Sequence, residues 1–204
     1  MPTAQRTANV FVNCPFDPAY QPILDSIVFA VTACGYRVRS ALEASDSGDL
    51  RLRKIIGLLE QSALSIHDIS RMELDARTTL PRFDMPIELG IALGMKHLGR
   101  KALQQHRMLV VDKEQYRYRN SASDLGGLDI EAHLDDPIQV IAAVGGFLAT
   151  GSTRHLPTED TIETAYAAFQ TELPRMAAAA KQSVAKLTFT DRLGHLESFP
   201  AELS

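Results

Sequence analysis

At 204 residues, with 45% hydrophobic and 23% charged positions, the chain has the length for one sizeable domain, or a domain with a small appendage, and the composition of an ordinary soluble globular protein. A formal charge of -4 argues against nucleic-acid binding as the main function. Two cysteines, Cys14 and Cys34, are too few for a disulfide framework or a zinc cluster. The six histidines show no metal-ligand spacing, no stretch approaches a membrane span, and the N-terminal residues lack a signal peptide's long apolar region. A cytoplasmic protein with reduced thiols, no bound metal and no membrane partner is expected.

The first two-thirds alternate strand-like and helix-like segments. Asn9 to Cys14 (NVFVNC) reads as a short buried strand ending at the turn Pro15-Phe16-Asp17-Pro18. Tyr20 to Cys34 carries Ile23, Ile27, Val28 and Val31 at helical spacing, and Gly35 ends that helix. Tyr36 to Leu42 alternates as a strand, Ser45 to Asp49 forms a loop with a ready N-cap, and Leu50 to Gln61 is an amphipathic helix. Ala63 to Asp68 is a third strand, followed by a polar loop to Arg82, an apolar helix carrying Glu88, and a fourth strand, Arg107 to Val111. Beyond Asp112 the pattern weakens. A short strand is expected at Leu128 to His133, with helices at Pro137 to Leu148, Thr158 to Leu173 and Ala177 to Leu187.

Strand and helix in alternation predict an α/β fold: a doubly wound, mainly parallel sheet of the flavodoxin/Rossmann-like kind, with a C-terminal helical appendage. Residues 1–150 are expected to form the α/β domain and residues 151–204 the appendage, which caps the core or mediates self-association. Ligands in such sheets bind beyond the carboxyl ends of the strands, near a topological switch point. That edge collects Asn13 to Phe16, Glu43 to Gly48, His67 to Arg71 and the start of the Glu88 helix.

Glu88 is the leading candidate there. It is the only charged residue between Met85 and Met95, and a carboxylate is costly to bury without a partner. Asp84 is expected to cap this helix and Pro86 to sit in its first turn, so that the positive helix end points beyond the sheet. Carboxylates suit glycosidic cleavage because the transition state is an oxocarbenium ion. The plain alternative is a capping or salt-bridging glutamate. Asp68 ends the third strand and could bind a sugar hydroxyl, or make a turn contact. His67 must point the other way, as a core histidine or a general base. Asn13 could bond a ribose or amide and Phe16 could stack on a base; a structured turn with a buried aromatic is the competing use. Cys14 is a small buried thiol rather than a nucleophile. Arg71 and Arg82, flanking the polar loop, could hold phosphate, as could Arg51 and Arg53, although most arginines are solvated. No Gly-x-Gly-x-x-Gly follows the first strand, which argues against a dehydrogenase, and Asp46-Ser47-Gly48-Asp49 is no P-loop.

The segment ELGIALGMKHLGR, from Glu88 to Arg100, resembles the Glu-Leu-Gly helix of bacterial TIR-like nucleotide-binding proteins. It is also similar to the Glu-x-Gly-x-Ala helix of nucleoside 2-deoxyribosyltransferases and related nucleotide N-glycosidases. His67-Asp68-Ile69-Ser70 resembles the deoxyribosyltransferase strand whose aspartate binds the sugar, and Val10 to Phe16 resembles the strand and turn that open that fold. The likeness spans residues 9 to 111. It implies an N-glycosidase that cleaves the base–ribose bond of NAD or a nucleotide, with Glu88 capturing or stabilising the ribosyl cation and Asp68 holding sugar hydroxyls. Asn13 and Phe16 would line the base side and Arg71 or Arg82 would lie near phosphate, with Ser70 and Asp84 completing the substrate-binding set. No cofactor is implied, since NAD or the nucleotide is the substrate. A homo-oligomer is expected, and with NAD as substrate a role in bacterial defence or stress. The family's Asp-x-Gly-Thr lead-in is replaced here by Arg82-Phe83-Asp84-Met85-Pro86, so nucleoside specificity does not transfer, and the chain has no tryptophan, unlike many TIR domains. The competing expectations are a non-catalytic nucleotide sensor, whose C-terminal helices relay the signal, and a protein-interaction domain.

Overall fold

The computed structural model describes residues 3–43, 50–74 and 79–199; the loop expected at Ser45 to Asp49 lies outside them. Helix α1 (Thr3–Ala8) leads into strand β1 (Asn9–Asn13), then α2 (Gln21–Ala33), β2 (Arg37–Arg39) and α3 (Arg51–Glu60). Next come β3 (Leu64–Asp68), α4 (Asp84–Leu98), the single turn α5 (Lys101–Gln104) and β4 (Arg107–Asp112). The chain closes with β5 (Ile130–Ala132), α6 (Pro137–Ala149), α7 (Glu159–Ala179) and α8 (Phe189–Ser198).

The five strands form one all-parallel sheet in the order β2-β1-β3-β4-β5. After β1 the chain runs outward to β2 and then returns to the other side of β1 for β3. The two halves therefore diverge between β1 and β3, and a crevice opens at the carboxyl ends of those two strands. Both central strands are buried along their whole length, because helices cover both faces. Val10, Val12, Leu64, Ile66, Leu109 and Val111 face α2 and α6. Phe11 faces the other way, onto Ile55, Leu58 and Leu59 of α3 and Ala92 of α4. Ile69, Val110 and Ile130 complete that second layer with Leu89 of α4 and Tyr118.

The C-terminal helices add a third layer. Ile162, Ala165, Tyr166, Phe169, Leu173 and Ala177 of α7 and Leu196 of α8 share one apolar core with α2 and α6. The expected break after Leu173 does not occur. Helix α7 continues through Pro174, and Leu173 and Ala177, one turn apart, both stay buried. Packing of this face outweighs the lost N–H and the ring's steric cost. The helix expected at Ala177 to Leu187 is replaced by the end of α7 and a 3-10 turn at Val184–Lys186. Helix α8, absent from the sequence-based reading, starts at a reciprocal capping box between Thr188 and Asp191.

Two further boundaries differ. The second strand stops at Arg39 because Glu43 folds back onto it: its carboxylate accepts from Arg39 Nε at 2.9 Å and from the Ser40 amide at 2.6 Å. A 3-10 turn, Ala41–Glu43, takes the place of further strand. Helix α4 begins at Asp84 itself, with Phe83 as the flanking residue and no side-chain cap. Asp84 is thus an acidic residue of the first turn, favourable toward the helix dipole, rather than the cap.

Candidate functional site

Glu88 lies in the second turn of α4, where the helix passes the ends of β1 and β3, and is only 6% exposed. Arg51 Nη2, from the first residue of α3, stands 3.9 Å from Glu88 Oε1, at the outer limit of an ion pair. Burial raises the carboxyl from its ordinary 4.5 to about 7; Arg51 opposes the shift and Asp84 adds to it. A folded-state value above the unfolded one means that stability is full below pH 4.5 and is lost as pH rises through 7. Glu88→Gln is therefore expected to be more stable than wild type, the advantage widening by about 2 kcal/mol between pH 5 and pH 8. Urea unfolding followed by far-UV circular dichroism checks this; an advantage that did not change with pH would show that Glu88 is ionised throughout.

The α4 end is tied to the sheet by Asn13. Its Nδ2 donates to the Met85 carbonyl at 3.1 Å and to His67 Nδ1 at 3.2 Å. Because the amide nitrogen can only donate, His67 must carry its proton on Nε2, which reaches Ser65 Oγ at 2.9 Å. Ser65 in turn passes its hydrogen to His106 Nε2 at 2.8 Å, and His106 Nδ1 donates to the Ser62 carbonyl at 3.1 Å. The bonds run in one direction through the α3/α4 layer, and both rings are neutral. Burial, together with His106, holds His67 down to about 3, and burial chiefly holds His106 at about 4. His67 is thus a satisfied core histidine, and the two donor hydrogens of Asn13 are already engaged.

On the opposite face of the sheet, Asp68 is fully enclosed. Its Oδ1 accepts from the Ser70 amide at 2.7 Å, and Tyr20, at the foot of α2, donates its hydroxyl to Oδ2. His133 Nε2 stands 3.1 Å from the same oxygen, off the axis of a hydrogen bond. A tight turn aims that ring: Leu134 and Asp135 both have positive φ (54° and 56°), and the Asp136 amide closes onto His133 O at 2.8 Å. Non-glycine residues in this conformation cost about 1 kcal/mol or more each. The Asp135 amide also donates to His133 Nδ1 at 3.1 Å, leaving Nε2 to face Asp68. Ser70 is buried as well, its Oγ without a partner.

The β1–α2 turn carries the accessible part of the site. Asp17 receives Arg71 Nε at 3.4 Å and Arg82 Nη1 at 3.7 Å, so two guanidinium groups share one carboxylate and leave net positive charge. Phe16 is half-buried, its ring centroid 6.0 Å from the Arg51 guanidinium carbon. Asp84 is exposed at the start of α4. Cys14 is buried, and desolvation, with Asp68, Glu88 and Asp17 nearby, pushes its thiol well above the usual range, so it supplies no thiolate. Arg51, Phe16, Asp17, Arg71 and Arg82 therefore form a charged rim, Glu88 is buried beside Arg51, and Asp68, Asn13 and Ser70 lie in the interior. Tyr20 and His133, the partners of Asp68, escaped the sequence reading. They lie 48 residues before and 65 after Asp68, with no motif spacing to join them.

Among the described residues no group of three or more His, Cys, Asp and Glu is arranged to hold a metal ion, and no helix is long and apolar enough to cross a membrane. Comparison with protein-family models, curated proteins and solved structures yields no match, so the chemistry of this site rests on its own geometry.

Proposed function

We propose that the protein is an N-glycosidase acting on the base–ribose bond of NAD or a nucleotide. The observation that carries this reading is Glu88: a secluded carboxyl, poised near 7, at the sheet's switch point, with Arg51 3.9 Å away and the Phe16 ring on the far side of that guanidinium. In cleavage of NAD the C1′–N bond breaks, and its electron pair leaves with nicotinamide, which departs neutral. The ionised Glu88 stabilises the ribosyl cation, water adds at C1′, and its proton goes to solvent. Phe16 would line the base side, and Arg71 and Arg82 would meet phosphate.

Glu88→Gln should lower base release at least 100-fold, on the scale of a lost electrostatic stabiliser. Chromatography of NAD, nucleosides and nucleoside monophosphates after incubation with both proteins checks this. With NAD, kcat/KM should rise about tenfold per pH unit below 7 and level off above it, because the leaving group needs no acid and only ionised Glu88 stabilises the cation. A rate that fell as pH rose would make Glu88 a general acid and point to an ordinary nucleobase as leaving group.

The enclosed Asp68 favours a second reading, a nucleotide sensor without catalysis, since the expected sugar ligand does not line the rim. Tight nucleotide binding with no base release would establish it. Self-association belongs to either reading: Leu52 and Ile56 on α3, and Phe83 and Ile87 at the start of α4, are exposed apolar pairs one turn apart near Glu88.

A further inference from the structure

Helix α4 buries Met85, Glu88, Leu89 and Ala92. On its opposite side Phe83, Ile87, Gly90, Gly94 and Leu98 recur at steps of three and four residues and so share one face. That face stands in water: Phe83 is 57%, Ile87 55% and Leu98 89% exposed. Beside it, across the seam where Leu59 of α3 meets Ala92 and Met95, Leu52 and Ile56 of α3 are exposed as well. These five side chains present on the order of 500 Å² of apolar surface. A two-fold dimer of standard size buries about 800 Å² on each partner, about three-fifths of it apolar, so this one patch supplies the apolar area that such an interface needs.

Charge along the two helices sets the direction of pairing. Helix α3 opens with Arg51 and Arg53, has no acid in its first turn and ends at Glu60, the reverse of what its own dipole favours. Helix α4 opens with Asp84 and closes with Lys96 and His97. A parallel pair of copies would set like charges together in both helices. An antiparallel pair turns the basic start of each α3 toward an acidic end, and the acidic start of each α4 toward a basic one. A two-fold axis running across the helices produces that arrangement and closes the assembly at two copies. One register also fits side chains to gaps. With the axis between Gly90 and Ile91, Ile87 lies over the partner's Gly94, Phe83 lies against the partner's Leu98, and the backbones approach at Gly90. A Cβ at Gly90 or Gly94 would meet nothing within 4 Å, so the fold of a single chain calls for neither glycine. Glycine is the poorest helix former after proline, and the close approach of a second backbone gives both a use. We propose that the exposed faces of α3 and α4 form a two-fold homodimer interface, with the α4 helices packed antiparallel about Gly90. The two charged rims then lie at opposite ends of the paired helices, each beside the far end of its partner's α4. The dimer stands whether or not Glu88 cleaves a nucleotide, because its test reads mass and not base release.

Sedimentation velocity should show the wild type as a dimer at micromolar concentration. Gly94→Arg sets a long charged side chain where the partner's Ile87 would sit, in space that is open in the single chain. It should keep its helical content by far-UV circular dichroism and dimerise at least 100-fold more weakly. Leu98→Arg, at a position already in water, is the second variant and should do the same. The register is read by cross-linking. Cys14 and Cys34 are buried, so under mild oxidation Gly90→Cys should form an intermolecular disulfide at least tenfold faster than Ala168→Cys, on the exposed side of α7. A wild type that stayed monomeric, or a dimer that both arginine variants left intact, would overturn the interface. A dimer lost in those variants, but cross-linked no faster through Gly90→Cys than through Ala168→Cys, would overturn the antiparallel register.

Discussion

Between pH 6 and pH 5 two buried histidines should cost the Glu88→Gln variant about 2.4 kcal/mol of stability, and the wild type about half of that. The cause is the pair His67 and His106. Their folded-state values, about 3 and about 4, lie below the ordinary 6.5, so the stability they confer is present above pH 6.5 and is lost as pH falls toward 4. In that window the unfolded chain binds two protons that the folded chain refuses. Glu88 works in the opposite direction, being protonated in the folded state and ionised in the unfolded one between 4.5 and 7, and offsets one of the two. Its replacement removes that offset, while Asp25, Asp112 and Glu131, whose carboxyls burial also raises, act equally in both proteins, so the difference between the two slopes belongs to Glu88.

Geometry explains why the rings resist protonation. The chain from Asn13 through His67, Ser65 and His106 to the Ser62 carbonyl has a single consistent direction. A proton added to His67 would go on Nδ1, against an amide that can only donate. His106→Gln should reduce the histidines' cost in Glu88→Gln by about half, since a glutamine can still accept from Ser65 and donate to Ser62. The measurement is the urea midpoint and slope by far-UV circular dichroism across pH 4.5 to 7.5. Equal slopes in all three proteins would show that the histidines are not the groups being titrated.

The alternation that revealed the sheet was readable because each central strand is a local apolar run flanked by helical periods, and both are short-range signals. The switch point followed from that order, and with it the neighbourhood of Glu88, Asn13 and Phe16. What the sequence concealed was the direction of side chains at strand ends and their long-range partners. His67 and Asp68 were known to point apart, but which one met a closed network could not be read from either residue. Both do: His67 through Ser65, a near neighbour, and Asp68 through Tyr20 and His133, which nothing local connects to it. Helix ends failed for a related reason. Pro174 signals a break, and only the buried Leu173 and Ala177 against α2 and α6 override it. The Asp84 boundary missed by one residue because its preference for a cap was not realised by a side-chain bond.

Asp68→Ala should destabilise the protein by about 3–5 kcal/mol, enough to lower its melting temperature by about 10 °C or more. The loss is not that of one contact. Removing the carboxylate strands the Tyr20 hydroxyl in a site closed to water, takes away the oxygen that stands 3.1 Å from His133 Nε2, and frees the Ser70 amide that Oδ1 had accepted. It also removes the group toward which the strained Leu134-Asp135 turn aims its histidine. Asp68→Asn keeps an acceptor and the side-chain volume, and should cost less than half as much. The same two variants decide whether Asp68 touches substrate. An enclosed brace predicts that Asp68→Asn, once shown to be folded, retains base release to within tenfold while Glu88→Gln loses at least 100-fold. A fall in kcat for Asp68→Asn as deep as that for Glu88→Gln, with little change in melting temperature, would mean that the network opens to admit a sugar hydroxyl. The aspartate would then return to the reaction, and the enclosed state would be the resting one.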